Sequence, residues 1–371
     1  MMKVASYDVV RTNAPYRAAL TAATDAVLDS GHLILGDRLQ AFEQAFASHS
    51  GAQYGVGVGN GLEALTLTLR ALGIGPGDEV IVPAFTFVAT WLAASQTGAR
   101  PVPVDVRPDG MMDPALIAAA ITPRTRAIVP VHLFGALADM DAILAVAADS
   151  GVQIVEDAAQ AHGAERAGRR AGSFGVAAAF SFYPTKNLGA IGDGGAVCTS
   201  DADLAARVRQ LRNYGSDQKY RHEVIGQNSR LDELQAAYLA VKLPHLQAAN
   251  ARRRRVAQRY SEWLSNARIP GIELPHLCPS SVWHQFVVRS SFRNQLQAAL
   301  AQRGVGTAIH YPVAPFDQPC FAGQYDRTQF PVATRLAETV LSLPMGDYLS
   351  DAEIEHVIQA MIAAGGSLVS A

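Results

Sequence analysis

A chain of 371 residues is long for one hydrophobic core, and 49% hydrophobic with 17% charged content supplies ample material for a buried sheet. The formal net charge of −2 leaves no basic excess to neutralise polynucleotide phosphates, which argues against a nucleic-acid partner. No apolar run is long enough to cross a bilayer and MMKVASYDVVRTNAP lacks a secretory apolar stretch, so a cytoplasmic protein without membrane contact is expected.

From about residue 15 to 245, short β-rich runs alternate with longer Ala/Leu-rich runs of helical period. The candidate strands, in order, are YGVGVG, EVIVP, RPVPVDV, RAIVPVH, VQIVED, AAAFSF and GAVCTS. Several are apolar on both faces, as strands covered by helices on each side should be. Between them fall helices such as GLEALTLTLRALG, closed by Gly73, and ADMDAILAVAADSG, closed by Gly151. The alternation predicts an α/β fold with an open, mainly parallel sheet in a large domain, 1–245. In such sheets ligands gather beyond the carboxyl ends of the strands, so functional residues should follow strands.

Near Pro244 the pattern changes. LDELQAAYLAVKLP reads as a helix stopped by proline, and HLQAANARRRRVAQRYSEWLS as a longer one, with Arg252 to Arg255 on a solvated face. WHQFVVRS, RNQLQAALAQRG and GVGTAIHYP then read as strand, helix and strand, giving a smaller α+β domain over 246–371. Cys198, Cys278 and Cys320 are too few and too widely spaced for a disulfide framework or a zinc motif, so no metal is expected.

Three motifs fall just after strands. In VGVGNGLEALTL a strand ends in glycines and a helix begins at once, so backbone N–H groups and the positive helix end point at one spot suited to phosphate. Gly59, Gly61 and Ala64 loosely match G-x-G-x-x-A, but Asp78 and Glu79 precede the next strand where a dinucleotide site wants an acid after it. In VQIVEDAAQAHGA, Asp157 ends an apolar run with Gln160 three residues on; a buried acid there needs a cation or hydrogen bonds, or else serves as a helix cap. His162 reads equally well as structural or catalytic. In SFYPTKNLGAIGDGGAV, Ser181 precedes Lys186 by five residues and glycines follow. A lysine beside a phosphate site and a carboxylate suggests imine chemistry. Pyridoxal 5'-phosphate supplies the missing parts: an aldehyde for Lys186, a phosphate for the helix start and Ser181, and a ring nitrogen for Asp157.

These stretches, with SGHLILG, VPAFTFVAT, LRNYGS, QNSRLDELQAA and IHYP, resemble the sugar-nucleotide aminotransferases of the DegT/DnrJ/EryC1/StrS group over nearly the whole chain. The resemblance implies the type I (aspartate-aminotransferase) fold of pyridoxal-phosphate enzymes, with a seven-stranded sheet in the large domain. It implies that Lys186 forms the Schiff base, Asp157 partners the pyridine nitrogen, Gln160 meets the ring hydroxyl and Phe87 stacks on the ring. Ser181 and the amides of Gly61, Leu62 and Glu63 would cradle the phosphate. Leu62 stands where threonine is common, which forgoes a side-chain hydrogen bond of roughly 0.5–1.5 kcal/mol. Asn228 would reach the phosphate of the neighbouring subunit, implying a homodimer with shared sites. Tyr183, Tyr214, His310 and Tyr311 are candidate substrate contacts, and HYPVAPFDQPCF departs from the usual wording near Pro315 and Phe316. The likeness implies transfer of an amino group from L-glutamate to the C3 keto carbon of a nucleotide-linked, dTDP-type, 6-deoxyhexose. C4 amination and a dehydratase of the same fold are the alternatives. A cofactor-binding transcriptional regulator would need a DNA-binding module, for which no spare segment remains.

Overall fold

All seven candidate strands form and join one sheet in the computed structural model, which describes residues 2–148 and 150–369. They are β1 (Tyr54–Val58), β2 (Glu79–Pro83), β3 (Arg100–Val104), β4 (Thr125–Ile128), β5 (Gln153–Asp157), β6 (Ala177–Ser181) and β7 (Gly195–Thr199). Their spatial order is β1-β7-β6-β5-β4-β2-β3. Only β7 runs antiparallel to its neighbours; the other pairings are parallel. The runs that read as apolar on both faces are covered on both: Val80, Ile81 and Val82 are each 0% exposed. Alanines at 177–179 leave room for the helix Gly61–Ala71, which packs across β6. The helix closed by Gly151 runs over Met140–Ala148, and residue 149 lies outside the described residues.

A second buried cluster forms around the helix Leu246–Ala267. It takes Val256, Ala257, Tyr260 and Leu264 from that helix, Phe286 and Val288 from the strand Phe286–Ser290, and Val4 from the start of the chain. Phe316, Phe321, Phe330 and Leu336 instead join the first cluster, so the chain returns to the sheet late in its course.

One expectation near residue 245 holds and two others change. The helix expected to stop at proline does end at Lys242, one 3-10 turn, Leu243–His245, holds Pro244 in its first turn where the missing N–H costs nothing, and the longer helix follows over Leu246–Ala267. Of Arg252–Arg255, Arg252 and Arg255 are exposed as expected and Arg254 is half-buried, but Arg253 is not on the solvated face. Arg253 is 1% exposed because it lies three residues before Val256, on the buried stripe itself; its guanidinium donates to the Trp283 and His284 carbonyls at 3.3 and 3.4 Å. GVGTAIHYP forms isolated bridges, Val4 to Val305 and Ala308 to Ser342, whose different partners prevent a continuous ladder.

Candidate active site

β6 delivers the lysine. Beyond Ser181, the Lys186 N–H donates to the Tyr183 carbonyl at 2.8 Å, closing a four-residue turn with Pro184 in its second position. Phe182 N–H to Gly194 O and Ala190 N–H to Phe182 O, both 2.7 Å, tie the loop to the sheet end. A side chain at Gly189 would collide with the Pro184 carbonyl, so the loop closes only on glycine. Lys186 therefore leaves a fixed turn, half-buried.

β1 leads into a helix start suited to an anion. The helix Gly61–Ala71 starts just after it, and Asn60 caps it by accepting from the Glu63 N–H at 2.9 Å. That bond corrects one expectation: the Glu63 amide is committed to the cap, and its carboxylate accepts from the Ser229 hydroxyl. The amides of Gly61 and Leu62, first in the helix, have no intrahelical acceptor and remain for an anion. A methyl at Gly61 would stand 2.7 Å from Ser181 Cβ, so the helix start and the Ser181 hydroxyl adjoin one small space. Two amides, a hydroxyl and a helix N-terminus are the donor set of a phosphate cradle.

β5 delivers the anion. Asp157 is 6% exposed; its Oδ2 accepts from Thr90 Oγ1 at 2.8 Å and its Oδ1 from Ala159 N–H at 3.2 Å. Burial pushes the Asp157 carboxyl up, against the pull of these two bonds and the Lys186 charge. A buried carboxyl so placed is short of a cation, which fits a protonated ring nitrogen. Gln160, also buried, is held at both ends: Oε1 accepts from Phe134 N–H at 2.7 Å and Nε2 donates to the Tyr311 hydroxyl at 2.9 Å. Tyr311 thus lies beside Gln160, and its own ring lies 5.4 Å from that of Phe87, which is 52% exposed.

The electrostatics match. Burial lowers the Lys186 amine to about 8, with Asp157 pulling the other way, so the uncharged nucleophile is accessible near neutrality. Burial, aided by the Lys186 charge, lowers His162 to about 3 and His310 to about 4, and both are neutral at pH 7. The His162 ring packs among Phe46, Phe180 and Phe182, which favours the structural reading. His310 Nδ1 shares a hydrogen bond with Ser342 Oγ at 2.8 Å.

Lys186, Asp157, Gln160, Phe87, Ser181, Gly61, Leu62, His310 and Tyr311 therefore cluster around the sheet's carboxyl edge, with Tyr183 exposed in the lysine turn. Tyr214 and Asn228 are both exposed, on a segment where Asn213 bridges Asn228 and Arg230 covers the Tyr214 ring at 5.6 Å, and which reaches the helix start through the Gly59 N–H bond to Ser229 Oγ at 3.1 Å. Pro315 and Phe316 are buried, Phe316 against Phe330 at 5.0 Å between ring centroids, so they serve packing. Sequence reasoning missed Thr90, the direct partner of Asp157, although it closes the quoted VPAFTFVAT. It also missed Asn187, Asn250 and His284, which no local pattern marks.

The sequence profile of the DegT/DnrJ/EryC1/StrS aminotransferase family matches residues 16–362. A dTDP-3-amino-3,4,6-trideoxy-alpha-D-glucose transaminase from Streptomyces venezuelae is 52% identical over 349 residues, covering 93% of this chain and 92% of that protein. A UDP-N-acetyl-3-dehydro-alpha-D-glucosamine 3-aminotransferase from Acidithiobacillus ferrooxidans is 48% identical, covering 93% of each. The crystal structure of S. venezuelae DesV in complex with a ketimine intermediate superimposes with a TM-score of 0.96 at 50% identity, covering 98% of this chain and 99% of that one. With a lysine, a buried carboxylate and a phosphate cradle converging as pyridoxal 5'-phosphate requires, the chain belongs to the DegT/DnrJ/EryC1/StrS aminotransferase family and has its pyridoxal-phosphate transferase fold.

Proposed function

We propose that this enzyme transfers the amino group of L-glutamate to the C3 keto carbon of a dTDP-linked keto-6-deoxyhexose, as a cytoplasmic homodimer in which each subunit lends Asn228 to its partner's site. The observation that carries the reaction class is that the Lys186 amine, lowered to about 8 by burial, interacts with the buried Asp157 carboxyl at the sheet end where Ser181 adjoins the Gly61 helix start. The C3 position and the nucleotide are supported by the printed activity of the 52% identical transaminase. Pyridoxal 5'-phosphate, when bound, supplies the electron sink. Lys186 Nζ holds the cofactor and then moves the proton, first as base and then as acid. Asp157 holds a proton on the ring nitrogen, Gln160 and Phe87 orient the ring, and Ser181, Gly61 and Leu62 bind the phosphate. Tyr183, Tyr214, His310 and Tyr311 are assigned to the sugar side of the pocket. Lys186 also disfavours the dehydratase alternative, and none of the relatives described above carries that activity.

Among the described residues, no helix is long and apolar enough to cross a membrane, in keeping with the cytoplasmic assignment. The two buried clusters support a domain division near residue 245, 1–245 and 246–371, with residues 314–340 packed back on the larger unit.

A second reading, a UDP-linked 2-acetamido-3-keto sugar, is favoured by the 48% identical relative. Purified enzyme incubated with glutamate and a panel of dTDP- and UDP-linked 3-keto and 4-keto sugars separates the readings, with products identified by mass and NMR. An amine on C3 of the dTDP sugar is expected; turnover confined to a 4-keto sugar would overturn the assignment.

A further inference from the structure

Lys186 is fixed on its N-terminal side by the turn bond to Tyr183. What fixes its other side is the next residue. Asn187 Nδ2 donates to Asn250 Oδ1 at 2.8 Å and to the Val282 carbonyl at 2.9 Å, and its Oδ1 faces His284 Nδ1 at 3.2 Å. Asn250 Nδ2 in turn donates to the His162 carbonyl at 2.8 Å. Asn250 is 2% exposed and His284 5% exposed.

We propose that Asn187 is a positioning residue for Lys186, and that two backbone carbonyls, acting through Asn187 and Asn250, lock His284 in its Nδ1–H form. The role given to Lys186 rests on the transamination reading; the state of His284 does not.

The inference starts from what cannot change. A backbone carbonyl only accepts, whereas an asparagine amide can in general be turned either way. The Val282 carbonyl therefore requires the N–H end of Asn187, and the His162 carbonyl requires the N–H end of Asn250. Both demands are met by one arrangement, because the Asn250 oxygen then faces the Asn187 nitrogen. That leaves the Asn187 oxygen toward His284. An amide oxygen also only accepts, so the proton must sit on His284 Nδ1. Burial, together with the Lys186 and Arg253 charges, keeps this imidazole neutral, so Nε2 carries a bare lone pair.

The chain of bonds also crosses the seam between the two cores. Val282 belongs to the first cluster and Trp283 to the second, while Asn250 and Arg253 lie on the helix Leu246–Ala267 that serves the second. Arg253 holds the Trp283 and His284 carbonyls, so residues 282–284 cannot slide along that helix. The residue after Lys186 is thus referenced to both cores at once. A lysine that must reach two successive carbon atoms gains from a backbone fixed to well under an ångström, since misplacement by about 1 Å can cost on the order of 100-fold in rate.

The test begins with the wild-type chain, so it survives a variant that fails to fold. In protein carrying 15N-histidine, with and without pyridoxal 5'-phosphate, His284 (assigned by its absence in His284→Asn) should show a pyrrole-type shift at Nδ1 and a pyridine-type shift at Nε2. The opposite pattern overturns the proposal. His284→Asn places an amide N–H at the Nδ1 position, whereas His284→Gln places it at the Nε2 position. His284→Asn should retain kcat within about threefold, and His284→Gln and Asn187→Ala should lower kcat roughly ten- to hundred-fold with the KM for glutamate unchanged. Equal kcat in all folded variants, or losses in KM alone, would remove the positioning role and leave the functional assignment standing.

Discussion

The sheet edge and the seam between the two cores solve different problems with different chemistry. At the edge, residues at strand ends present groups that do work: an amine, a carboxyl, a hydroxyl and free helix amides. At the seam, Asn187, Asn250, Arg253 and the carbonyls of Val282, Trp283 and His284 present groups that are consumed by one another. Ionisable groups whose charge burial disfavours mark the edge, and mutually paired polar groups mark what holds it still. Asp157 and Asn250 make the contrast sharp: both are buried and polar, yet only Asp157 is pushed toward the wrong charge state until a cation arrives.

Removing edge groups should therefore abolish chemistry while leaving the fold. The largest effect belongs to Lys186→Ala, which should lose all steady-state turnover and the visible absorbance of lysine-bound cofactor; retention of both would take Lys186 out of the mechanism. Asp157→Ala leaves the ring nitrogen without its buried counter-charge, a loss of about 3–5 kcal/mol, or roughly 10²–10⁴-fold in kcat/KM. A drop of less than tenfold in steady-state assays would mean that another group carries that role. Gly61→Ala pushes a methyl against Ser181 and toward the space at the helix start, and should weaken cofactor affinity by about tenfold in equilibrium dialysis, with an overpacking loss of roughly 1–3 kcal/mol in stability.

A further effect, separate from catalysis, is on stability of the cofactor-free chain. Folding holds the Lys186 amine at about 8, against an ordinary 10.5 in the unfolded chain, so between those values the unfolded state binds more protons and stability rises with pH. Lys242, donating to the Gly189 carbonyl at 2.6 Å, is also lowered to about 8 and shares this window. Lys186→Met should therefore remove only part of the rise in denaturant midpoint between pH 8 and 10.5, and add about 1–3 kcal/mol at pH 7. An unchanged slope would show that the amine is solvated in the fold.

The edge was legible in the sequence because its signals are local. Strand alternation, glycines opening a helix, an acid closing an apolar run and a lysine five residues beyond a strand serine each fit within about a dozen residues. The seam was not, because Asn187 meets residues 63 and 97 positions away, and the motif that holds it draws attention to Lys186 instead. Arg253 misled for a related reason: four consecutive arginines read as solvated, while the stripe of Val256 and Tyr260 already placed one of them inside. The Glu63 amide was miscounted because the cap by Asn60 competes for it, a choice visible only once the helix start is built.

Trapping the cofactor where it sits tests the central claim most directly. Borohydride reduction of the holoenzyme, followed by digestion and mass spectrometry, should place a phosphopyridoxyl group on the peptide carrying Lys186 and on no other. A label on Lys242, the second buried amine with a lowered pKa, would contradict the account.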